Sequence, residues 1–254
     1  MRRLIAFQCA SETLIGSLDE AAATTGLLIV SGGNEVRAGA HRGMALLAAD
    51  VAKAGFPVFR YDRRGVGDST GENRGFRYAQ DDLTAAVTAF RTHATHVGRI
   101  VGFGNCDAAT TLALFGRGVG LDRVLLANPW VIENDDGFPP AAAIRARYAE
   151  RLRSPAAWLQ LLGGGVDLGK LYRGIFKLAA IPSRDPGDLA ESVIAAIAAW
   201  GEDASVILAS GDATAIAYRD VSRREAITID TDSHSFAKRS DKEALRAAVL
   251  KALR

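Results

Sequence analysis

Cys106 lies in a segment whose residue types are typical of a nucleophile held on a sharp turn. The apolar run before it predicts a strand, and the small residues after it are compatible with a helix. Between the two, residues 104–108 read Gly-Asn-Cys-Asp-Ala, a G-x-C-x-A form of the G-x-S-x-G nucleophile elbow. The partial positive charge at a helix N-terminus favours a thiolate, so the pattern predicts nucleophilic chemistry through sulfur. The alternative is a buried structural cysteine in a strand-to-helix turn.

A reactive thiol needs a base, and the base needs an orienting group. His234 follows the last predicted strand and Asp212 follows the strand before it, so parallel strands would bring both to the sheet edge that carries Cys106. The chain order nucleophile, acid, histidine predicts a triad of these residues. Two other carboxylates compete with Asp212, namely Glu133 and Asp232. The loop position of Asp212 and the glycine before it favour Asp212.

An oxyanion hole for this nucleophile needs two backbone donors. The N–H of Asp107, directly after the nucleophile, is predicted to be one of them. Gly33 or Asn34, in the glycine-rich loop after the third strand, is predicted to supply the other. The same loop continues into residues predicted to form a polar rim able to meet a carboxylate or phosphate: Arg37, His41 and Arg42. The alternative is that these side chains are only solvated surface charges.

The elements that must position these residues follow an α/β pattern. Two short alternating runs, 4–9 and 13–18, predict a hairpin. Apolar strands then alternate with helical patterns, which predicts a mostly parallel sheet covered by helices on both faces. The predicted strands are 26–30, 57–61, 99–103, 123–127, 205–209 and 226–230, and the predicted helices are 43–54, 79–92, 108–115, 188–200 and 241–253.

One interval, 131–186, breaks this alternation because it has helical patterns and no convincing strand. It is predicted to be a helical lid inserted after the sixth strand, between a first part of the core at 1–130 and a second part at 187–254. Trp158 and Phe176 recur there with other large apolar residues at helical spacings and are predicted to bind the acyl group of the substrate. The alternative is that they only seal the lid to the core.

Composition and charge narrow the function classes. The 254 residues are 48% hydrophobic and 24% charged, as expected for one soluble globular domain. The net charge of +2 and the lack of a basic run with aromatic residues argue against nucleic-acid binding. No apolar run reaches the length of a membrane span, and the N-terminus leads into a strand pattern, which predicts a cytoplasmic protein.

The sequence predicts no cofactor, no metal and no disulfide. The four histidines have no metal-binding spacing, and the glycine pattern in 61–69 is incomplete for a dinucleotide loop, so we expect that loop to be architectural. Cys9 is expected to pack in the first strand rather than to pair with Cys106, because disulfides are rare in the cytosol. The expected partner is a small-molecule acyl substrate, and the oligomeric state is left open.

Taken together, these motifs resemble the α/β-hydrolase superfamily over nearly the full chain. More narrowly, the sequence is similar to the exosortase A system-associated hydrolases of the first type, found beside bacterial exopolysaccharide and protein-sorting genes. The Cys-Asp pair and the Asn-Pro-Trp exit after the sixth strand are the more specific signals, whereas Ala108 departs from the strict elbow pattern. The segments that carry the narrower resemblance are 29–33, 40–42, 59–69, 105–109, 125–130 and 148–155.

The residues and the resemblance leave three functions open. The leading hypothesis is a hydrolase that cleaves an ester or thioester through a thioacyl-enzyme, as dienelactone hydrolases show that this fold can hydrolyse with a cysteine. The second is acyl transfer through the same intermediate, because polyhydroxyalkanoate synthases also resemble this fold and carry a cysteine in the elbow. The third is a non-catalytic binding protein that kept the pocket.

Overall fold

The strands of the computed structural model, which describes residues 1–132 and 188–254, form one eight-stranded sheet. The order of strands across the sheet is β1-β2-β4-β3-β5-β6-β7-β8. The strands are β1 (Arg2–Cys9), β2 (Glu12–Asp19), β3 (Thr25–Val30), β4 (Val58–Tyr61), β5 (Arg99–Asn105), β6 (Arg123–Ala127), β7 (Ala204–Ala209) and β8 (Ile227–Ile229).

The sheet is parallel except at one edge. β1 and β2 form the predicted antiparallel hairpin, and β2 also pairs with β4 in antiparallel fashion. From β4 onward every neighbouring pair is parallel. The chain runs outward in one direction from β3 to β4 and in the other from β5 to β8, so the loops after β3 and β5 diverge. A crevice opens at such a switch point, outside the carboxyl ends of the strands.

Helices cover both faces of the sheet and enclose two apolar layers. One layer packs under α2, α3, α4 and α5, and the other under α1 and α6. Within the described residues, no helix combines the length and the apolar composition that crossing a bilayer requires. The helices are α1 (Gly43–Lys53), α2 (Gln80–His93), α3 (Asp107–Phe115), α4 (Asp188–Ala199), α5 (Ala213–Val221) and α6 (Arg239–Leu253).

This architecture confirms the predicted fold class, a mostly parallel sheet flanked by helices. β6 precedes the predicted lid and β7 follows it, yet the two strands pair, so both parts of the core contribute to one sheet. The predicted lid itself, apart from the buried Val131 and the half-buried Ile132, lies outside the described residues. Its boundaries therefore stay a prediction.

One helix was not expected from the sequence. α5 begins directly after Asp212, whose side chain accepts hydrogen bonds from the backbone N–H groups of Thr214 and Ala215. These bonds satisfy two of the unpaired N–H groups that every helix start presents. The sequence signal was present in this residue, but its interpretation as a catalytic acid hid its second use as a helix cap.

Candidate active site

Cys106 occupies the sharp turn between β5 and α3. Its backbone has φ 62° and ψ −127°, a left-handed conformation that non-glycine residues rarely adopt. Such strain costs about 1–3 kcal/mol and persists only where the surroundings fix it. Here the N–H of Cys106 donates to the carbonyl of Ala127 at 3.0 Å, and its own carbonyl accepts from the N–H of Ala109 at 3.1 Å. The half-buried thiol is thereby held at the carboxyl edge of the sheet.

The elbow is tight because the strand and the helix nearly touch. A Cβ at Gly104 would lie 2.8 Å from the carbonyl oxygen of Ala108, closer than side chains ever approach. Ala108 is fully buried, so the methyl group that replaces the usual second glycine fits within the core. The local sequence therefore permits the turn that the pattern predicted.

His234 and Asp212 meet at the same edge of the sheet. His234 follows β8 and Asp212 follows β7, and His234 Nδ1 lies 2.9 Å from Asp212 Oδ1. The second carboxylate oxygen of Asp212 caps α5, with both N–H donors at 3.1 Å. Each oxygen of this buried carboxylate thus has a separate task, and one of them fixes the orientation of the imidazole.

The ionisation of both residues reflects this pairing. A hydrogen bond with Asp212, and next one with Cys106, raises the pKa of His234 from the ordinary 6.5 to about 10. Burial acts to raise the pKa of Asp212, but hydrogen bonds from His234 and from backbone N–H groups outweigh it and leave this pKa below its usual value. The imidazole is therefore protonated at neutral pH. Because Nδ1 faces Asp212, Nε2 is the ring nitrogen left for the thiol.

The competing carboxylates are not at this position. Asp232 is exposed and its Oδ1 pairs with Lys238 Nζ at 2.8 Å. Glu133 lies outside the described residues. Among the carboxylates of the described residues, the one that pairs with His234 is Asp212.

Two asparagines that sequence reasoning missed hold the His234 loop in place. Asn105 Nδ2 donates to the carbonyl of His234 at 3.0 Å, and Asn128 Nδ2 donates to Asn105 Oδ1 at 3.0 Å. Asn128 Oδ1 accepts from the N–H of Ala209, at the end of β7, at 2.9 Å. Asn128 is fully buried with a left-handed φ of 42°. This amide pair ties the ends of β5, β6 and β7 to the histidine loop, and its one sequence signal was an asparagine at the end of two successive strands.

The loop after β3 differs in detail from the predicted oxyanion loop. The N–H of Gly33 donates to Asp107 Oδ1 at 2.8 Å, so a side chain already uses one of the two predicted loop donors. Among the described residues, no acceptor faces the N–H of Asn34 or the backbone N–H of Asp107. Of the three backbone N–H groups predicted for the oxyanion hole, these two are the ones without a hydrogen-bond partner in the described part of the chain.

Several solved structures are similar to the whole chain. They include an esterase of Pyrococcus furiosus with a TM-score of 0.61 and 14% identity, covering 100% of this chain and 90% of that chain. An α/β hydrolase of a Penicillium species has a TM-score of 0.63 and 18% identity, with coverages of 100% and 98%. The fold is that of the α/β-hydrolases. A serine hydrolase of Xanthomonas campestris, described as having no lid, has a TM-score of 0.59 and 14% identity, with coverages of 100% and 94%.

These structural similarities establish the α/β-hydrolase fold, and at such low identities they do not assign a reaction. No protein-family model matches the sequence, and no curated protein matches it. The narrower resemblance to exosortase-associated hydrolases therefore depends on the sequence motifs alone.

The three residues of the predicted polar rim have different environments. The guanidinium of Arg37 pairs with the buried Asp62 and lies 2.9 Å from Asp68, so it fastens loops of the α/β-hydrolase core to each other instead of projecting as a free cation. His41 and Arg42 are exposed at the start of α1, both with left-handed backbones. The two predicted acyl-binding residues of the lid lie outside the described residues: Trp158 and Phe176.

The loop after β4 has the architectural contacts that its sequence predicted. Asp62 accepts from the backbone N–H of Asp68 at 3.2 Å, and Ser69 Oγ donates to the carbonyl of Asp62 at 2.7 Å. Gly67 has φ 57°, and a Cβ there would lie 2.4 Å from Asp62 Oδ2. Among the described residues, no group of His, Cys, Asp or Glu side chains is arranged to hold a metal ion.

The two cysteines of this α/β-hydrolase fold are free and differ sharply in environment. Cys9 is buried in β1, and burial, followed by the charge of Asp82, raises its pKa to about 11. Iodoacetamide at neutral pH should therefore label Cys106, beside an imidazolium, at least about 100-fold faster than Cys9. Peptide mapping by mass spectrometry after timed quenching measures both rates. Equal, slow labelling of the two thiols would contradict an activated Cys106.

Proposed function

We propose that the protein is a cysteine-dependent acyl hydrolase that cleaves an ester or thioester through Cys106, His234 and Asp212. One observation carries the proposal. A strained elbow holds a thiol at the same sheet edge as a hydrogen-bonded His–Asp pair, and that thiol contributes to the raised pKa of the histidine. A buried structural cysteine would need neither the strain nor the charged partner.

In the acylation step, the Cys106 thiolate attacks the carbonyl carbon and forms a C–S bond. The electron pair of the C=O bond moves to the oxygen, which accepts hydrogen bonds from the N–H groups of Asp107 and Asn34. When the intermediate collapses, the bond to the leaving group breaks and His234 donates its Nε2 proton to that group. The products are an alcohol or thiol and a thioester on Cys106.

In the deacylation step, the now neutral His234 accepts a proton from water as the water oxygen attacks the thioester carbonyl. Collapse of the second intermediate breaks the C–S bond and releases a carboxylic acid and the Cys106 thiolate. His234 keeps the proton that it took from water, so the resting pair of thiolate and imidazolium is restored. Asp212 stabilises the imidazolium in each step where it forms, and it keeps Nε2 directed at the reacting atoms.

The substrate class is proposed from the similar structures and from the sequence motifs. The esterase name of the Pyrococcus furiosus structure supports an ester, and a thiol nucleophile suits a thioester equally well. The resemblance of the motifs to those of exosortase A system-associated hydrolases supports a role linked to bacterial exopolysaccharide or protein-sorting systems. In this proposal the interval 131–186 covers the site and supplies Trp158 and Phe176 to the acyl group.

Intact-mass spectrometry after incubation with a panel of activated esters and acyl-thioesters tests the proposal. We expect a transient adduct with the mass of the acyl group, mapped to Cys106 and lost as free acid appears. A Cys106→Ala variant is the control and should gain no mass. An intact, alkylatable protein that neither acquires an adduct nor hydrolyses any member of the panel would refute the proposal. Faster loss of the adduct on adding a sugar would assign acyl transfer instead.

A further inference from the structure

The carboxylate of Asp107 joins the helix after the candidate nucleophile to two loops. Asp107 directly follows Cys106 on α3. Its Oδ1 accepts the N–H of Gly33 from the loop after β3, at 2.8 Å. Its Oδ2 lies 3.4 Å from Nη2 of Arg63, in the loop after β4. The side chain thus connects α3 to the loop after β3 and to the loop after β4.

Arg63 gives this carboxylate a buried counter-charge. The residue is only 2% exposed, and its Nε and Nη1 atoms have no hydrogen-bond partner among the described residues. Within those residues, the carboxylate that pairs with it is that of Asp107. A buried cation needs such a partner because the low-dielectric interior penalises an unpaired charge. A guanidinium in this position therefore neutralises a negative charge that would otherwise stand beside the reacting carbonyl.

The same contacts fix the orientation of the peptide between Gly33 and Asn34. The carbonyl of Gly33 accepts from Arg63 Nη2 and, at 3.1 Å, from Asn73 Nδ2. Asn73 Nδ2 also donates to Asn34 Oδ1 at 2.8 Å. In a trans peptide the C=O and the following N–H point in opposite directions. The N–H of Asn34 is therefore directed away from Arg63 and Asn73, and no described acceptor takes it.

Gly32 permits the close approach of this loop to the elbow. A Cβ at Gly32 would lie 2.4 Å from Asp107 Oδ1 and 2.9 Å from the carbonyl oxygen of Asn105. Any side chain there would displace the carboxylate from the N–H of Gly33. The glycine and the carboxylate are thus two parts of one contact that come from separate segments of the chain.

We propose that the carboxylate of Asp107 is a positioning residue of the oxyanion hole. It holds the loop through Gly33, so that the N–H of Asn34 joins the backbone N–H of Asp107 as the donor pair, while Arg63 cancels its charge. An unpaired carboxylate this close would oppose an oxyanion, which explains why the pair with Arg63 is needed. This inference rests on the proposed function, because it assumes a tetrahedral oxyanion.

Two reactions of the same thiol separate this role from a general structural one. Acylation by an activated ester forms an oxyanion, whereas alkylation by iodoacetamide forms none. In Asp107→Ala and in Gly32→Ala we expect acylation to slow by about 100-fold, as for the loss of one oxyanion donor. Alkylation should not slow, because it forms no oxyanion and needs neither N–H donor. Asp107→Asn, which keeps an oxygen for Gly33, should recover part of the acylation rate.

Asp68→Asn is the matched control. This exposed carboxylate pairs with Arg37, farther along the same loop, and makes no hydrogen bond with Gly33 or Asn34. Both of its rates should equal those of the wild type. Acylation at the wild-type rate or faster in both alanine variants would overturn the inference, because the carboxylate would then be a spectator or a competitor of the substrate oxygen. An equal fall of both reactions would also overturn it. A wild-type protein that is alkylated but never acylated would overturn the proposed function instead.

Discussion

Replacing Cys106 with alanine is expected to abolish turnover of an activated ester, with a fall in kcat of about 10⁶-fold, as for other residues that act as the nucleophile of a catalytic unit. The fold should survive the change. Alanine has a Cβ like cysteine, so the left-handed backbone at this position is no more strained than before. The measurements are steady-state hydrolysis and the thermal unfolding midpoint. A variant that folds and still turns over substrate would rule out the thiol as nucleophile.

The Cys106→Ser variant tests whether turnover requires sulfur as the nucleophilic atom. A serine hydroxyl must lose its proton to a base as it attacks. A hydroxyl is much less acidic than a thiol, so it needs stronger assistance from His234 than the native thiol does. We therefore expect the serine variant to be almost as inactive as the alanine variant at pH 7. Its activity should increase with pH as the imidazole loses its proton.

Cys9→Ala is the matched control for both changes. Cys9 is only 3% exposed, and its Sγ donates to Asp82 Oδ1 at 3.5 Å. It lies in β1, at the edge of the sheet, whereas the elbow follows the central strand β5. Its replacement should lower stability slightly and leave turnover intact. A loss of turnover in this control would mean that the assays report the fold and not the chemistry.

The sequence predicted the positions whose placement depends on local structure and on strand direction. A strand, a small-residue turn and a helix are adjacent in the chain around Cys106, so the elbow could be predicted from one short segment. Parallel strands fix the edge at which their loops emerge, which is why Asp212 and His234 could be expected near each other. The observed 2.9 Å contact between these two agrees with that reasoning.

Contacts between loops that are far apart in the chain could not be predicted from the sequence. Asn128 and the carbonyl of His234, 3.4 Å apart, are separated by 106 positions in the chain, and their approach depends on the packing of three strand ends. The side chain of Asp107 likewise decides which backbone N–H in the loop after β3 stays unpaired, because it accepts the N–H of Gly33. Glycines indicated that the backbone could turn there, but a side chain from another element decided which N–H group it left available.

The replacement of Asp212 with alanine is expected to have the second largest effect. The kcat/KM should fall by about 10⁴-fold, because the imidazole loses the group that orients it and stabilises its charge. Stability should fall as well, by about 1 kcal/mol because α5 loses its N-cap, and further at neutral pH because the charged His234 loses its partner. Steady-state kinetics and urea unfolding measure the two losses. Asp232→Asn, a change in an exposed carboxylate paired with Lys238, should alter neither.

Asp212→Ser separates the two tasks of this carboxylate. Serine is a good N-cap but is too short to reach His234. The variant should therefore keep the stability that the cap contributes, and it should lose both the activity and the stability that the pair with His234 contributes at neutral pH. Asp212→Asn has a single acceptor oxygen, which can serve either the cap or the imidazole. We therefore expect the asparagine variant to lose one of the two properties. Wild-type values of both would contradict the assignment of separate tasks to the two oxygens.

The pairing of Asp212 with His234 also predicts how stability depends on pH. Because the pKa of His234 is about 10 in the folded protein and 6.5 ordinarily, the folded state binds this proton more tightly. The contribution to the free energy of unfolding is complete below the ordinary pKa and is lost as the pH rises through the folded one. Between about pH 6 and about pH 10.5, wild-type stability should fall further than that of Asp212→Ser, since the other titrating groups are shared. An equal fall in both proteins would mean that Asp212 does not hold the proton on His234, and the carboxylate would then be left with its role as a helix cap.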